Sequence, residues 1–182
     1  LEEIFCDFRF KNETARSAAL AALLTPFAMP AIAGPLPLFG VIAPTPGAGK
    51  TLLVHAISTL ATGRKTSMIP PTGQIEEQRK RIFAINAEGA SIVLVDNATG
   101  AFGDEVISGM LTTRLMRDRT LGESAAPEVP VNGIWFVTGN NLSWRGDLGR
   151  RVQPIALDPG VEDPQLRTTF RHGQEEDFLG WI

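Results

Sequence analysis

The chain has 182 residues, of which 43% are hydrophobic and 20% are charged, and its formal net charge is −3. These values are typical of one globular domain with a substantial core, and the acidic balance argues against a strongly basic, free-standing nucleic-acid binder. The single cysteine, Cys6, excludes an intrachain disulfide and favours a cytoplasmic location. The stretch closest to a membrane span, residues 20–38, is interrupted by prolines, so we expect no membrane segment.

The first half of the chain predicts a helix, a buried strand and a second helix. Asn12 is expected to cap the first helix, which we expect to end at Pro26. The continuous apolar run at residues 38–43 predicts a strand that is covered on both faces. The second helix is expected to begin at Lys50 and to end at Gly63.

The remaining pattern continues the alternation of helices and strands. It predicts a short strand at residues 66–69, a helix at 75–86, a strand at 92–95, a helix with apolar residues from Val106 to Leu115, and strands at 134–137 and 152–157. Pro154 places the last strand at an edge of the sheet, because proline cannot donate a ladder hydrogen bond. The prediction is therefore an α/β three-layer sandwich with a mainly parallel, five-stranded sheet.

A glycine-rich segment joins the first buried strand to the second helix, which is the context that a phosphate loop requires. Gly47 and Gly49 let backbone N–H groups surround a phosphate, Lys50 can bridge the β- and γ-phosphates of ATP, and the Thr51 hydroxyl can bind Mg²⁺. Pro44 stands where the usual pattern has its first glycine, and a chance glycine-rich turn is the alternative. The predicted nucleotide-binding residues are Pro46, Gly47, Ala48, Gly49, Lys50, Thr51 and Leu52.

Asp96 follows the apolar strand at 92–95, and in P-loop enzymes an acid at this place holds Mg²⁺. Asn97 comes next, where many nucleotide-hydrolysing proteins carry the Glu that polarises the attacking water. An amide can orient water but cannot accept its proton. Hydrolysis is then slow, or another acid supplies the base. The candidates are Asp104, Glu105, Glu76 and Glu77, for which a solvated helix face is the favoured interpretation.

Two further motifs follow the later strands. The strand at 134–137 leads to Asn140, which can bind a γ-phosphate or position water at the ligand-binding edge of the sheet; a Gly-Asn turn is the alternative. Arg150 and Arg151 precede the edge strand, and a guanidinium can stabilise a transferring phosphoryl group. A surface ion pair with Asp147 or Asp158 is the alternative for these arginines.

In their order along the chain, these motifs resemble those of the AAA+ ATPase core. Residues 46–51 look like Walker A, residues 92–97 like Walker B and residues 138–141 like sensor 1, while Arg150 and Arg151 look like the arginine finger. The resemblance implies an AAA+-type P-loop fold, with ATP and Mg²⁺ bound by the predicted residues. It also implies that the arginines act on the ATP of a neighbouring subunit.

A narrower resemblance is to the ATPase segments of phage, plasmid and prophage replication proteins. Many of these join a primase-polymerase to a superfamily-3-like helicase, and an Asp-Asn pair at the second motif is familiar among them. The segments that carry this resemblance are residues 95–97, 118–122, 138–142 and 146–151. It implies a hexameric homo-oligomeric ring that hydrolyses ATP and translocates on single-stranded DNA.

The resemblance divides the chain into an N-terminal helix and connector (1–35), an ATPase core (36–158) and a C-terminal extension (159–182) that is expected to stop before a helical lid. Helicases of this type carry a DNA-contacting hairpin before sensor 1, but residues 119–132 offer Arg119 without any lysine or aromatic residue. The turn at 68–73 is either a second pore loop or a simple connector.

Three functions therefore stay open. The first is a DNA helicase or translocase of phage- or plasmid-type replication. The second is an AAA+ nucleotide switch or assembly factor that unwinds nothing, which the lack of basic and aromatic residues in the expected pore loops favours. The third is a small-molecule kinase, which the phosphate loop permits but the Asn140 and Arg150–Arg151 motifs fit less well.

Overall fold

Helices and strands alternate along the computed structural model, which describes residues 3–117, 127–173 and 175–182. The α-helices are α1 (Glu13–Ala28), α2 (Lys50–Thr62), α3 (Ile75–Ala87), α4 (Glu105–Met110) and α5 (Glu175–Trp181). The strands are β1 (Leu38–Ala43), β2 (Met68–Ile69), β3 (Ile92–Phe102), β4 (Leu115–Arg117), β5 (Glu128–Pro130), β6 (Ile134–Trp144) and β7 (Val152–Ala156). Short 3₁₀ turns lie at Glu3–Phe5, Met29–Ala31, Gly146–Arg150 and Pro164–Leu166.

The main sheet has five parallel strands in the order β2-β3-β6-β1-β7. One cluster of buried residues joins α1 and α2 to one face of this sheet, and a second cluster joins α3 and α4 to the other face. The sequence of β1 is apolar throughout because β6 and β7 pair with it and both of its faces are covered. The α/β three-layer prediction is confirmed, and so is the edge position of the strand that contains Pro154.

Strands β3 and β6 continue beyond the points at which the sequence predicted their ends. Their pairing is irregular after Val95, and Asn97 and Asn141 have left-handed backbone conformations with φ of 60° and 49°. Gly40 is in register with Val137, yet a Cβ atom on Gly40 would lie 2.6 Å from the Trp144 ring. The ends of both strands must therefore bend back over the sheet. The predicted strand ends were wrong because the apolar runs stop at Val95 and Val137, whereas the strands continue through the polar residues of the bends.

Two predicted helix ends also differ from the structure. Asn12 caps α1 by accepting a 2.9 Å hydrogen bond from the backbone N–H of Ala15, as predicted, but the helix continues through Pro26 to Ala28. A proline so close to a helix end removes only one helical hydrogen bond. Helix α4 ends at Met110, and Leu115 belongs instead to a strand that pairs with β5. The apolar residues between Val106 and Leu115 have helical spacing in the sequence, but the helix that they predict is not continuous.

Some predicted features lie outside the described residues. They comprise the motif at 118–122 and the larger part of the predicted DNA-contacting hairpin at 119–132. Of that hairpin, the structure describes residues 127–132, which include β5. None of the helices in the described part of the chain combines the length and the hydropathy that crossing a membrane requires.

The close approach of Trp144 to β1 generates a stability prediction. We expect Gly40→Ala to lower the free energy of unfolding by about 1–3 kcal/mol, because the new methyl group overlaps the indole ring. Gly109→Ala in α4 is the matched control, since no heavy atom lies within 4 Å of the Cβ position there. The control should leave stability unchanged or raise it by about 0.5–1 kcal/mol. Urea denaturation of both variants measures the difference, and equal stabilities would contradict the bent-strand geometry.

Candidate nucleotide-binding site

The register of the central strands brings the predicted motifs to one edge of the sheet. Ala43, the last residue of β1, is opposite Asn140 of β6, and Val95 of β3 is opposite Val137. Because the strands are parallel, the side chains that follow them share the carboxyl edge, where open α/β sheets bind their ligands. Helix α2 begins at this edge with Lys50.

The phosphate loop has the backbone conformation that its glycines allow. Gly47 and Gly49 have φ of 73° and 82°, in the left-handed region that other residues rarely adopt. The first backbone hydrogen bond of α2 runs from Leu53 to Gly49, so the preceding N–H groups have no partner within the helix. Together with the helix dipole they make this loop a site for anions.

Lys50 and Asn140 contact each other across the phosphate loop. The Lys50 ammonium donates a 2.7 Å hydrogen bond to Asn140 Oδ1 and reaches the Thr45 carbonyl at 3.4 Å. Burial lowers the pKa of Lys50 below its ordinary value, and the Asp96 carboxylate partly opposes that shift. The loop therefore holds a partly desolvated cation beside an amide at the place where phosphates bind.

Asp96 is held by two hydroxyl groups from different elements. Its Oδ1 atom accepts a 2.8 Å hydrogen bond from Thr51 in α2 and a 2.6 Å hydrogen bond from Thr138 in β6. The backbone N–H of Asn97 in turn donates to Thr138 Oγ1 at 2.9 Å. Thr138 thus orients the carboxylate and stabilises the bend that follows it.

Thr138 is a site residue to which the sequence reasoning gave no role. It is 1% exposed, although its neighbours on β6 are apolar. A buried hydroxyl needs a hydrogen-bond partner. A threonine that directly follows the apolar run 134–137, just as Asp96 directly follows the apolar run 92–95, was the signal that could have identified it.

The donor set at this edge fits Mg²⁺. The Thr51 hydroxyl and the Asp96 carboxylate oxygen are 2.8 Å apart, and Mg²⁺ prefers hard oxygen ligands of these two kinds. The Lys50 cation lies on the same side of the sheet, where it can neutralise phosphate charge. These residues would hold the metal and the phosphates of one nucleotide together.

Asn97 and the acids that are candidates for activating water differ in their contacts. Asn97 is exposed, and its left-handed backbone turns the chain directly after Asp96. Asp104 caps α4 through hydrogen bonds from Val106 and Ile107, and Glu77 pairs with Arg81 at 2.8 Å. The contacts of Asp104 and Glu77 are structural and agree with the helix-face interpretation of these acids.

The two arginines lie at the opposite end of the sheet from the phosphate loop. The Arg151 carbonyl accepts a hydrogen bond from Leu38, the first residue of β1, whereas the phosphate loop follows the last residue. A strand of this length, six residues, spans about 20 Å. Arg150 and Arg151 pair with Asp147 at 3.4 and 2.8 Å. The structure therefore does not bring these arginines to the phosphate loop of their own chain.

A cavity of about 750 Å³ opens beside the phosphate loop. One wall consists of Gly47, Gly49 and Leu52, and the other comes from both ends of the chain: Phe8 and the segment 159–173. A Cβ atom on Gly47 would lie 3.0 Å from Gln165, so this C-terminal segment packs directly on the loop. The sequence reasoning placed no ligand-contacting residue in either chain end.

A guanidinium holds the two chain ends together at this wall. Arg167 donates to the Asp7 carbonyl at 2.7 Å and to the Asp7 carboxylate at 2.8 Å, and it lies 4.5 Å from the centre of the Phe170 ring. The second carboxylate oxygen of Asp7 accepts from the backbone N–H of Arg171 at 2.9 Å. Asp7 thus fixes the position of residues 167–171 relative to the phosphate loop.

Comparison with known proteins bears on the fold. No protein-family model matches the chain, and no curated protein sequence matches it. The apo structure of the NrS-1 C-terminal region has a TM-score of 0.50 and 11% identity, over 94% of this chain and 43% of that one. The chain has a P-loop NTPase-like α/β fold. The resemblance that the motifs indicate is therefore confirmed at the level of the fold.

Structures of JCV helicase are also similar. One, with an acetamide compound bound, has a TM-score of 0.47 and 14% identity, over 87% of this chain and 46% of that one. Another has a TM-score of 0.45 and 15% identity, over 80% of this chain and 44% of that one. The chain spans less than half the length of each of these three solved structures.

The contacts of Thr138 generate a second stability prediction. Thr138→Val keeps the shape of the side chain but removes one donor to Asp96 and the acceptor for Asn97 N–H. We expect it to lower the free energy of unfolding by about 1–3 kcal/mol. Thr138→Ser keeps the hydroxyl and should cost less. Urea denaturation of the pair decides, and a serine variant that is no more stable than the valine variant would exclude the hydroxyl as the cause.

Proposed function

We propose that this chain is the ATP-binding and ATP-hydrolysing domain of an AAA+ motor, and that it works as a DNA helicase or translocase in phage- or plasmid-type replication. The observation that carries the ATPase part is the meeting of Lys50, Thr51, Asp96 and Asn140 at one edge of the sheet. Phosphoryl transfer requires groups that position the phosphates and neutralise their charge. A cation, a hydroxyl, a carboxylate and an amide can do this together.

Each of these side chains has a role that follows from its contacts. Lys50 exchanges its hydrogen bond with Asn140 for the β- and γ-phosphates of ATP. Thr51 and Asp96 would hold Mg²⁺, which would supply charge neutralisation on the phosphate oxygens. Lys50 contacts only the Oδ1 atom of Asn140. The Asn140 NH2 group can therefore donate to the γ-phosphate, and its Oδ1 atom, once Lys50 has left it, can accept from the attacking water.

The cavity beside the phosphate loop accommodates the nucleoside. It begins at Gly47 and Gly49 and has room for a base and a ribose, at about 750 Å³. Phe8 and Phe170 line it. Because the Arg167 guanidinium covers one face of the Phe170 ring, a base can stack on Phe8 or on the opposite face of Phe170. Leu52, in the first turn of α2, contributes apolar surface close to the phosphates.

The position of Arg150 and Arg151 supports action between subunits. They lie about a strand length from their own phosphate loop, which is farther than an arginine side chain reaches. The Arg150 side chain is 88% exposed and so is available to a neighbour. Action in trans requires an oligomer, and a hexameric ring is the assembly that we propose. ATPase activity should then depend on association.

The scarcity of basic residues at 119–132 supports an alternative, an AAA+ nucleotide switch that changes its affinity for a partner and unwinds nothing. Binding to DNA phosphates requires cations, and this segment offers Arg119 as its one lysine or arginine. Stimulation of the ATPase by single-stranded DNA distinguishes the motor from the switch.

Lys50→Ala tests the phosphate loop. We expect it to lower kcat for ATP hydrolysis by roughly 10²–10³, because one charged donor to the developing phosphate charge is lost. The steady-state ATPase of the wild-type chain and the variant is measured with and without Mg²⁺. The exposed Arg64, on the segment after α2, provides the control Arg64→Ala, which should keep wild-type activity. Equal activity of Lys50→Ala and the wild type would refute the proposed site.

A mixing experiment tests action in trans. The double variant Arg150→Ala/Arg151→Ala keeps an intact phosphate loop but lacks the arginines, whereas Lys50→Ala keeps the arginines. Each alone should be nearly inactive, since an arginine finger contributes roughly 10³–10⁵ in kcat. Their mixture should hydrolyse more ATP than the sum of the two. Wild-type activity of the double variant, or a mixture no better than the sum, would contradict shared sites.

A further inference from the structure

Three side chains with metal-binding atoms meet outside the phosphate site. Glu3 and Cys6 come from the first turn of the described chain, and His172 comes from the C-terminal segment. One ligand atom from each residue, namely a carboxylate oxygen, the thiol sulfur and a ring nitrogen, lies within 4.8 Å of the other two. The ATPase mechanism uses none of the three.

We propose that Glu3, Cys6 and His172 form a binding site for Zn²⁺. A thiolate sulfur, an imidazole nitrogen and a carboxylate oxygen are all common zinc ligands, whereas Mg²⁺ and Ca²⁺ prefer oxygen alone. Three protein ligands leave the fourth tetrahedral position to water. On binding, the Cys6 thiol gives its proton to the solvent and its sulfur bonds to the metal, so no redox partner is needed.

The surrounding contacts hold two of the ligands in position. The His172 ring stacks on Trp181 with centroids 3.8 Å apart and an angle of 16°, and its Nε2 atom lies 3.0 Å from Glu3 Oε1. The backbone N–H of Cys6 donates to the Glu3 carbonyl at 3.2 Å, so one turn presents both side chains. Cys6 is exposed, and a metal ion can therefore reach it from solvent.

One cation competes with the metal for this site. Arg171 Nε lies 2.8 Å from Glu3 Oε1, the same oxygen that faces His172. The metal must displace this guanidinium from the carboxylate, which lowers the affinity. Removal of the Arg171 charge should therefore tighten metal binding, whereas it would do nothing for a cluster that holds no metal.

The proposed site would join the two chain ends that wall the cavity beside the phosphate loop. Asp7 follows Cys6 and binds Arg167, and His172 lies in the segment that packs on Gly47 through Gln165. A bound metal would add a direct link between these ends. It should raise the thermal stability of the chain, because it binds the folded state and not the separated termini.

Cobalt substitution tests this proposal. The chain has one cysteine, so a thiolate-to-cobalt charge-transfer band can arise only from Cys6. The untagged chain is treated with a chelator and a thiol-free reductant, titrated with Co²⁺ in the near ultraviolet, and then back-titrated with Zn²⁺. We expect a band that saturates at one equivalent, disappears with Zn²⁺, and accompanies a rise in the melting temperature.

Four variants complete the test. Cys6→Ser should abolish the band, and His172→Gln should weaken binding at least about tenfold, as loss of a ligand requires. Arg171→Gln should bind Co²⁺ more tightly than the wild type. Glu176→Gln, which removes an acid outside the cluster, is the control and should bind normally. Absence of a thiolate band, or His172→Gln and Arg171→Gln titrations that match the wild type, would overturn the site.

Discussion

The structure of this site depends on one carboxylate oxygen that two hydroxyl groups share. Asp96 Oδ1 accepts from Thr51 in α2 and from Thr138 in β6, so a single atom connects helix α2 to the neighbouring strands β3 and β6. Hydrogen bonds to a charged group contribute about 1.5–3 kcal/mol each. The Asp96 carboxylate and the Thr51 hydroxyl are also the proposed ligands of Mg²⁺. Stability and metal binding therefore depend on the same contacts, and a change in Thr138 should affect both.

The strands β3 and β6 bend directly after Asp96 and Asn140. Asn97 and Asn141 adopt left-handed conformations, which asparagine tolerates better than other non-glycine residues. The chain then turns back, and Trp144 covers the face of β1 at Gly40. Asn141 also donates to the Pro44 carbonyl at 3.2 Å, at the position where the usual phosphate loop begins with glycine. The bend of β6 thus contacts the phosphate loop directly.

The two ends of the chain complete the cavity. Phe8 lies beside Gly49 and Gln165 beside Gly47, and the Asp7–Arg167 contact holds these segments together. Arg150 and Arg151, in contrast, lie at the other end of the sheet from the phosphate loop, because β7 runs parallel to β1 and begins beside Leu38. In the proposed function, one protomer would therefore supply the parts for binding a nucleotide, whereas the arginine contribution would require a neighbour. This division explains why we expect hydrolysis to depend on association more than binding does.

The sequence by itself determined the phosphate loop, the alternation of buried strands and helices, and the edge position of the Pro154 strand. Glycine conformation, helix dipoles and the missing proline N–H are local properties, so a local pattern reveals them. Only the tertiary structure decided that β3 and β6 continue through their bends, that Thr138 orients Asp96, and that the chain ends form the cavity wall. These features depend on contacts between residues far apart in the chain, for which a single sequence carries no periodic signal.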